Sequence, residues 1–95
     1  MIVRYSRRAQ GDIEAIYNYL DEQAPAAARK VKDLIERRIM SLSYFPLMAP
    51  KTDSPGARGL SLTRYPYKIY SEIEGEEAWI LDIRDARRQP RDGRN

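Results

Sequence analysis

Apolar residues recur along this chain with two different periods, and the change between them divides the sequence in half. Ile2-Val3-Arg4-Tyr5 is short and β-prone, and Ser6 behind it is a good helix N-cap. Ala9, Ile13, Ile16, Tyr17 and Leu20 then follow at spacings of four, three, one and three. That rhythm puts them on one stripe of a helix from about Arg7 to about Gln23, with Asp12, Glu14, Asn18 and Glu22 on its flanks or far side. Ala24-Pro25 ends this helix and begins another, because proline suits the first helical position. Ala28, Val31, Leu34, Ile35, Ile39 and Leu42 form the second stripe, which runs to about Tyr44. So short a connection folds the two helices into an antiparallel hairpin. Three cations interrupt the pattern. Arg7 and Arg8 sit in the first turn of helix one, where the helix dipole disfavours each by roughly 0.3–1 kcal/mol. Arg38 falls inside the second stripe and reads as a side chain snorkelling at its edge.

Past Tyr44 the period changes to two. Phe45-Pro46-Leu47-Met48-Ala49-Pro50 is a stop signal with apolar content, expected to tuck against the helix ends, and Lys51 to Gly56 is a polar loop. Arg58, Leu60, Leu62 and Arg64 alternate with Gly59, Ser61 and Thr63. After Tyr65-Pro66, Tyr67, Ile69 and Ile73 alternate with Lys68, Tyr70 and Glu72. Glu74-Gly75-Glu76-Glu77 reads as a hairpin turn, and Trp79, Leu81 and Ile83 then alternate with Ile80, Asp82 and Arg84. The predicted order is β-α-α-β-β-β: an α+β fold with an antiparallel helical hairpin packed on one face of a small, mainly antiparallel sheet. Two helices cover only one face of such a sheet, so the other is expected to stay open or to be covered by something else. Residues 1–87 are expected to form a single domain and residues 88–95, without periodicity and with Pro90 and Gly93, a basic, loose tail.

Charge sharpens this picture at one place only. The chain has 17 Lys/Arg against 14 Asp/Glu, a net +3. The last twelve residues hold five arginines and two aspartates, so the whole excess lies there and residues 1–83 are formally neutral. This is a local basic tail, not an all-over nucleic-acid footprint. There is no cysteine and no histidine, which removes disulfides, thiolate chemistry, the commonest general base and the commonest metal ligand. No metal and no cofactor is expected. No apolar run approaches the ~18 residues of a membrane span, and the N-terminus lacks the apolar core of a signal peptide, so the expected compartment is the cytoplasm.

Order and residues together resemble the RelE/ParE toxin superfamily over roughly Val3 to Arg87, closer to its ParE-like branch. The resemblance is carried by Tyr5-Ser6-Arg7-Arg8-Ala9, then Asp12-Ile13, Ile16 and Tyr19-Leu20, by Pro25-Ala26-Ala27-Ala28, and by Leu42, Phe45 and Pro46. Gly56 and Arg58, Tyr65-Pro66-Tyr67 and Ile69-Tyr70 continue it. One position departs: where the family commonly closes its last strand with His-x-x-Arg, this chain has Arg84-Asp85-Ala86-Arg87. Arginine does not deprotonate, so acid–base work at neutral pH is not expected there. The resemblance implies the toxin of a type II toxin–antitoxin system. Its partner would be a small ParD-like antitoxin of the ribbon-helix-helix type, whose C-terminal segment wraps the toxin in a hetero-oligomeric complex. ParE-like members bind and poison DNA gyrase, and RelE-like members cleave mRNA in the ribosome.

The two branches make different chemical demands. Ribonuclease chemistry without histidine needs cations on the phosphorane and a lowered-pKa base. Lys51, Arg58 and Arg84 are the residues available for it, but no tyrosine follows Tyr70 and Lys51 stands as a single lysine. Gyrase inhibition needs no catalytic group, only a complementary surface, and Arg84, Arg87 and Arg88 are the candidate target-binding residues. With Trp79, Leu81 and Ile83 turned toward the helices, the open face presents Lys68, Tyr70, Ile80, Asp82 and Arg84. The candidate antitoxin-binding residues are therefore Lys68, Tyr70 and Ile80, with Arg58 and, on the helix hairpin, Tyr17 and Tyr19. DNA is contacted only through the antitoxin or gyrase. A third reading is a superfamily member that has lost toxicity and acts only in the antitoxin complex.

Overall fold

A computed structural model describes residues 1–87. The segment 88–95, read above as a loose tail, and Arg88 with it, lies outside the described residues. The chain begins with β1 (Ile2–Tyr5), and Ser6 then caps α1 (Arg7–Gln23), its Oγ accepting the Ala9 N–H at 2.9 Å. Ala24 alone separates α1 from α2 (Pro25–Tyr44), whose first residue is the proline. A short 3-10 turn (Pro46–Met48) leads to β2 (Arg58–Ser61), β3 (Tyr67–Glu74) and β4 (Glu77–Asp85). The order is the predicted one.

Both apolar stripes face the sheet. Val31, Ile35, Ile39 and Leu42 of α2 are buried, as are Ala9 and Leu20 of α1, against Leu62, Ile69, Ile80 and Ile83. Each fully buried aliphatic side chain contributes on the order of 1.5–3 kcal/mol. Arg38 is half-buried, and its Nε is buried without a hydrogen-bond partner.

The sheet order is β1-β4-β3-β2, with β1 parallel to β4 and the other pairs antiparallel. β3 and β4 turn on Gly75, whose φ of +60° suits a two-residue hairpin. The β3–β4 register shifts between Tyr70 and Ser71: Tyr70 opposes Asp82 but Ser71 opposes Ile80, which leaves Leu81 as an extra residue, a β-bulge.

That bulge overturns one expectation. A strict alternation would put Trp79, Leu81 and Ile83 on the helix side together. Instead Ile80 and Ile83 both lie in the core, while Trp79 sits opposite Glu72 on the open face. Ile80, expected on the open face, is fully buried beneath the helices.

Two further expectations change. β2 stops at Ser61 and not near Arg64, because Thr63 turns the chain at a φ of +69°. The Phe45–Pro50 segment does not tuck in: Phe45 is 69% and Leu47 66% exposed, and Ala49 is the apolar residue that reaches the core. None of the three residues of the 3-10 turn is buried. The following loop covers the outer edge of β2, Gly59 N–H donating to the Pro50 carbonyl at 2.9 Å. No helix among the described residues is long and apolar enough to cross a membrane.

Candidate functional site

The open face of the sheet is built by alternation from β1, β4, β3 and β2. Arg4, Trp79 and Glu72 form one row across it, Asp82, Tyr70 and Gly59 the next, and Arg84, Lys68 and Ser61 the third. Gly59 leaves room for its neighbours: a Cβ there would stand 2.7 Å from Lys68 Cε and 3.1 Å from Tyr70 Cε1. The Tyr70 ring therefore lies over the glycine and is nearly buried although no helix covers it, with the Lys68 ammonium 5.6 Å from its centroid. At the other end, Arg4 Nε lies 3.0 Å from Glu77 Oε2 and Trp79 Nε1 donates to Glu77 Oε1 at 3.0 Å. The hydrogen bond from Arg4, and then that from Trp79, hold the Glu77 carboxyl below its ordinary value.

The end of β4 carries the cations that sequence reasoning singled out. Arg84 Nε is buried without a hydrogen-bond partner, 3.7 Å from the buried Asp82 carboxylate, an ion pair too long for a hydrogen bond. Arg87 is more regular. Asp85 accepts its Nε at 3.2 Å, its Nη2 at 3.0 Å and its backbone N–H at 3.0 Å. That fork raises the Arg87 pKa and fixes an exposed guanidinium just beyond the strand.

A groove of about 400 Å³ runs between α1 and the end of β4, lined by Arg8, Asp12, Tyr19, Tyr67 and Arg84 among others. It exists because β4 continues past β1. Backbone groups with no strand beside them are met from α1 instead. Asp12 Oδ2 accepts the Ile83 N–H at 3.0 Å, and Ser6 Oγ donates to the Leu81 carbonyl at 2.7 Å. These roles of Ser6 and Asp12 were not read from the sequence. Asp12 lay on the flank of the α1 stripe, close enough to its apolar residues to have been a signal.

Among the described residues no group of three His, Cys, Asp or Glu side chains is placed to hold a metal. The family model of the ParE toxin of the type II toxin–antitoxin system parDE matches residues 3–90. The chain belongs to the ParE toxin family. Among solved structures it is similar to a chain of a chromosomal ParDE toxin–antitoxin system from P. aeruginosa. The identity is 28% and the TM-score 0.77, over 90% of this chain and 95% of that one. The isolated E. coli RelE toxin matches at 11% identity and TM-score 0.67, over 93% and 86% of the two chains. The intact E. coli RelBE toxin–antitoxin complex matches at 9% and 0.64, over 86% and 92%. At those identities the RelE likeness is one of fold. No curated protein sequence matches the chain.

Within this ParE-family fold the candidate residues part company. Lys51 and Arg58 line one shallow pocket beside β2, and their backbones pair antiparallel at that single position. Arg58 opposes Ser71 on the helix side of the sheet, and its Nη1 donates to the Ala49 carbonyl at 2.9 Å. Arg84 stands in an open-face row, so the three residues considered for ribonuclease chemistry do not converge. Lys68 and Tyr70 are on the open face as expected. Tyr17 belongs to the helix hairpin, hydrogen-bonded to Glu36 at 3.4 Å with the Lys32 ammonium 5.2 Å from its ring centroid. Tyr19 is 42% exposed beside the groove.

Proposed function

We propose that this ParE-family toxin acts by binding DNA gyrase, without catalysis, and is held inactive in the cytoplasm by a cognate antitoxin of the ribbon-helix-helix type. The observation that carries the reading is the dispersal of its cations. Arg58 is tied to the Ala49 carbonyl on the helix side, while Arg84 opposes Lys68 in a row of the open face. Phosphodiester cleavage needs donors that converge on one developing charge, and a binding toxin does not. Arg84, Arg87 and Arg88 are the target-contacting residues in this reading, Arg87 oriented by Asp85, which takes its Nε and one Nη2 bond and leaves the other guanidinium N–H groups for a target. The antitoxin lies across the open face, on Lys68, Tyr70 and Trp79, and reaches Tyr19 through the groove between α1 and the end of β4. Trp79 takes the place of Ile80, which the bulge buries.

The test is a supercoiling assay with purified gyrase, titrated with toxin and then with antitoxin. Inhibition with accumulating cleaved DNA, reversed by antitoxin, is expected. Arg84→Gln and Arg87→Gln should each weaken inhibition about tenfold, the order expected for removing one charged contact. Supercoiling untouched by a large excess of folded toxin overturns the reading. Lys51 and Arg58 in one pocket then become the residues to mutate while mRNA cleavage is mapped in a reconstituted translation system. Failure to arrest growth on induction would leave only the non-toxic role in the antitoxin complex.

A further inference from the structure

The chain has three methionines and one phenylalanine, residue types that ordinarily fill cores. Here all four are exposed: Met1 48%, Met40 58%, Phe45 69% and Met48 39%. Tyr44 at 71%, Leu47 at 66% and Ile2 at 56% join them. These are seven of the nine exposed large apolar side chains among the described residues; five lie between positions 40 and 48, and Met1 and Ile2 meet that run at Tyr44. Met40 lies one helical turn before Tyr44, the 3-10 turn follows directly, and Tyr44 lines the same depression as Met1, Ile2, Pro46 and Glu76. An apolar patch this concentrated is uncommon on a chain that works alone, and exposed methionine is a recurrent feature of binding surfaces.

We propose that this patch is the isologous interface of a homodimer, its occupant a second copy of the same chain. Two features point to a copy. The first is area. At these exposures the seven residues present on the order of 800 Å², comparable with what each partner buries in a stable interface of standard size. The second is charge. Arg37 is exposed one turn before Met40 on α2, and the exposed Glu76 lines the depression that Tyr44 shares with Met1 and Ile2. A two-fold axis through the Tyr44 region exchanges these positions, bringing Arg37 of each copy toward Glu76 of the other around an apolar centre. The inference is independent of the gyrase reading, since it concerns the mass of the free toxin and not its target.

The experiment is sedimentation equilibrium of the purified full-length chain over a wide concentration range, with thermal unfolding of each variant alongside. A reversible monomer–dimer equilibrium is expected. Phe45→Ser should raise the dimer dissociation constant at least about tenfold, as for a central aromatic contact, while the melting of the dilute monomer stays unchanged. Leu47→Ser is the second variant should Phe45→Ser fold poorly. Arg37→Glu should weaken the dimer, and adding Glu76→Arg in the same chain should restore it. A chain that stays monomeric at every concentration overturns the proposal, as does a dimer indifferent to these changes. Protection of Tyr44–Met48 from hydrogen exchange only when antitoxin is added also overturns it, and assigns the patch to that partner.

Discussion

The Ser6 hydroxyl accepts the Ala9 N–H and donates to the Leu81 carbonyl, so a single oxygen starts α1 and holds the bulge of β4. Ser6→Ala removes both bonds and should cost roughly 2 kcal/mol, or about 10 °C in the thermal midpoint of a domain this size. Asp12→Ala strands the Ile83 N–H and should cost on the order of 1–3 kcal/mol, whereas Asp12→Asn keeps an acceptor and should cost less. Urea unfolding of the three variants checks both statements. Thr63 gives a change of the opposite sign. It is β-branched at a φ of +69°, and its side chain makes no hydrogen bond among those resolved, so Thr63→Gly should raise stability by roughly 1 kcal/mol. Ser6 as a cap was legible in the sequence, because capping is local. Its bond to Leu81 was not, because the two residues are 75 positions apart.

At the scale of elements, the helices were legible to the residue and β4 was not. A helix writes its buried face into its own spacing, and both stripes point where that spacing says. A strand does so only while the alternation is unbroken, and the extra Leu81 changes the phase of everything before it. The helix hairpin also carries a pH signature. Burial, and then the Glu36 carboxylate, push the Tyr17 phenol from 10.0 up to about 12. The folded pKa is raised, so the stabilisation is complete below pH 10.0 and is lost as pH rises toward about 12. Tyr17→Phe should flatten the alkaline fall in stability across that window. A wild-type phenol titrating near its ordinary value, read by ultraviolet absorbance, would contradict it.

For the whole molecule, β4 separates two ends of different character. Its start adjoins the apolar patch through Glu76, and its end carries Arg84 and leads to Arg87, about 25–30 Å away along a strand of nine residues. In the proposed dimer the contact lies at the start of β4, away from Arg84 and Arg87 at its end. Added salt should therefore weaken target binding while sparing the apolar contact. Supercoiling assays and sedimentation at matched ionic strengths check this. Phe45→Ser should dissociate the proposed dimer without removing Arg84 and Arg87, the proposed target contacts.

The sequence by itself determined the element order, the helix stripes, the Ser6 cap, the location of excess charge and the family, since each is written in local spacing or in ordered short motifs. Tertiary structure alone decided the strand order, the faces on which Arg58, Trp79 and Ile80 lie, the backbone duties of Ser6 and Asp12 toward β4, and the exposure of Tyr44–Met48. Those depend on pairing between residues far apart in the chain and on one extra residue in a strand, neither of which leaves a period to read.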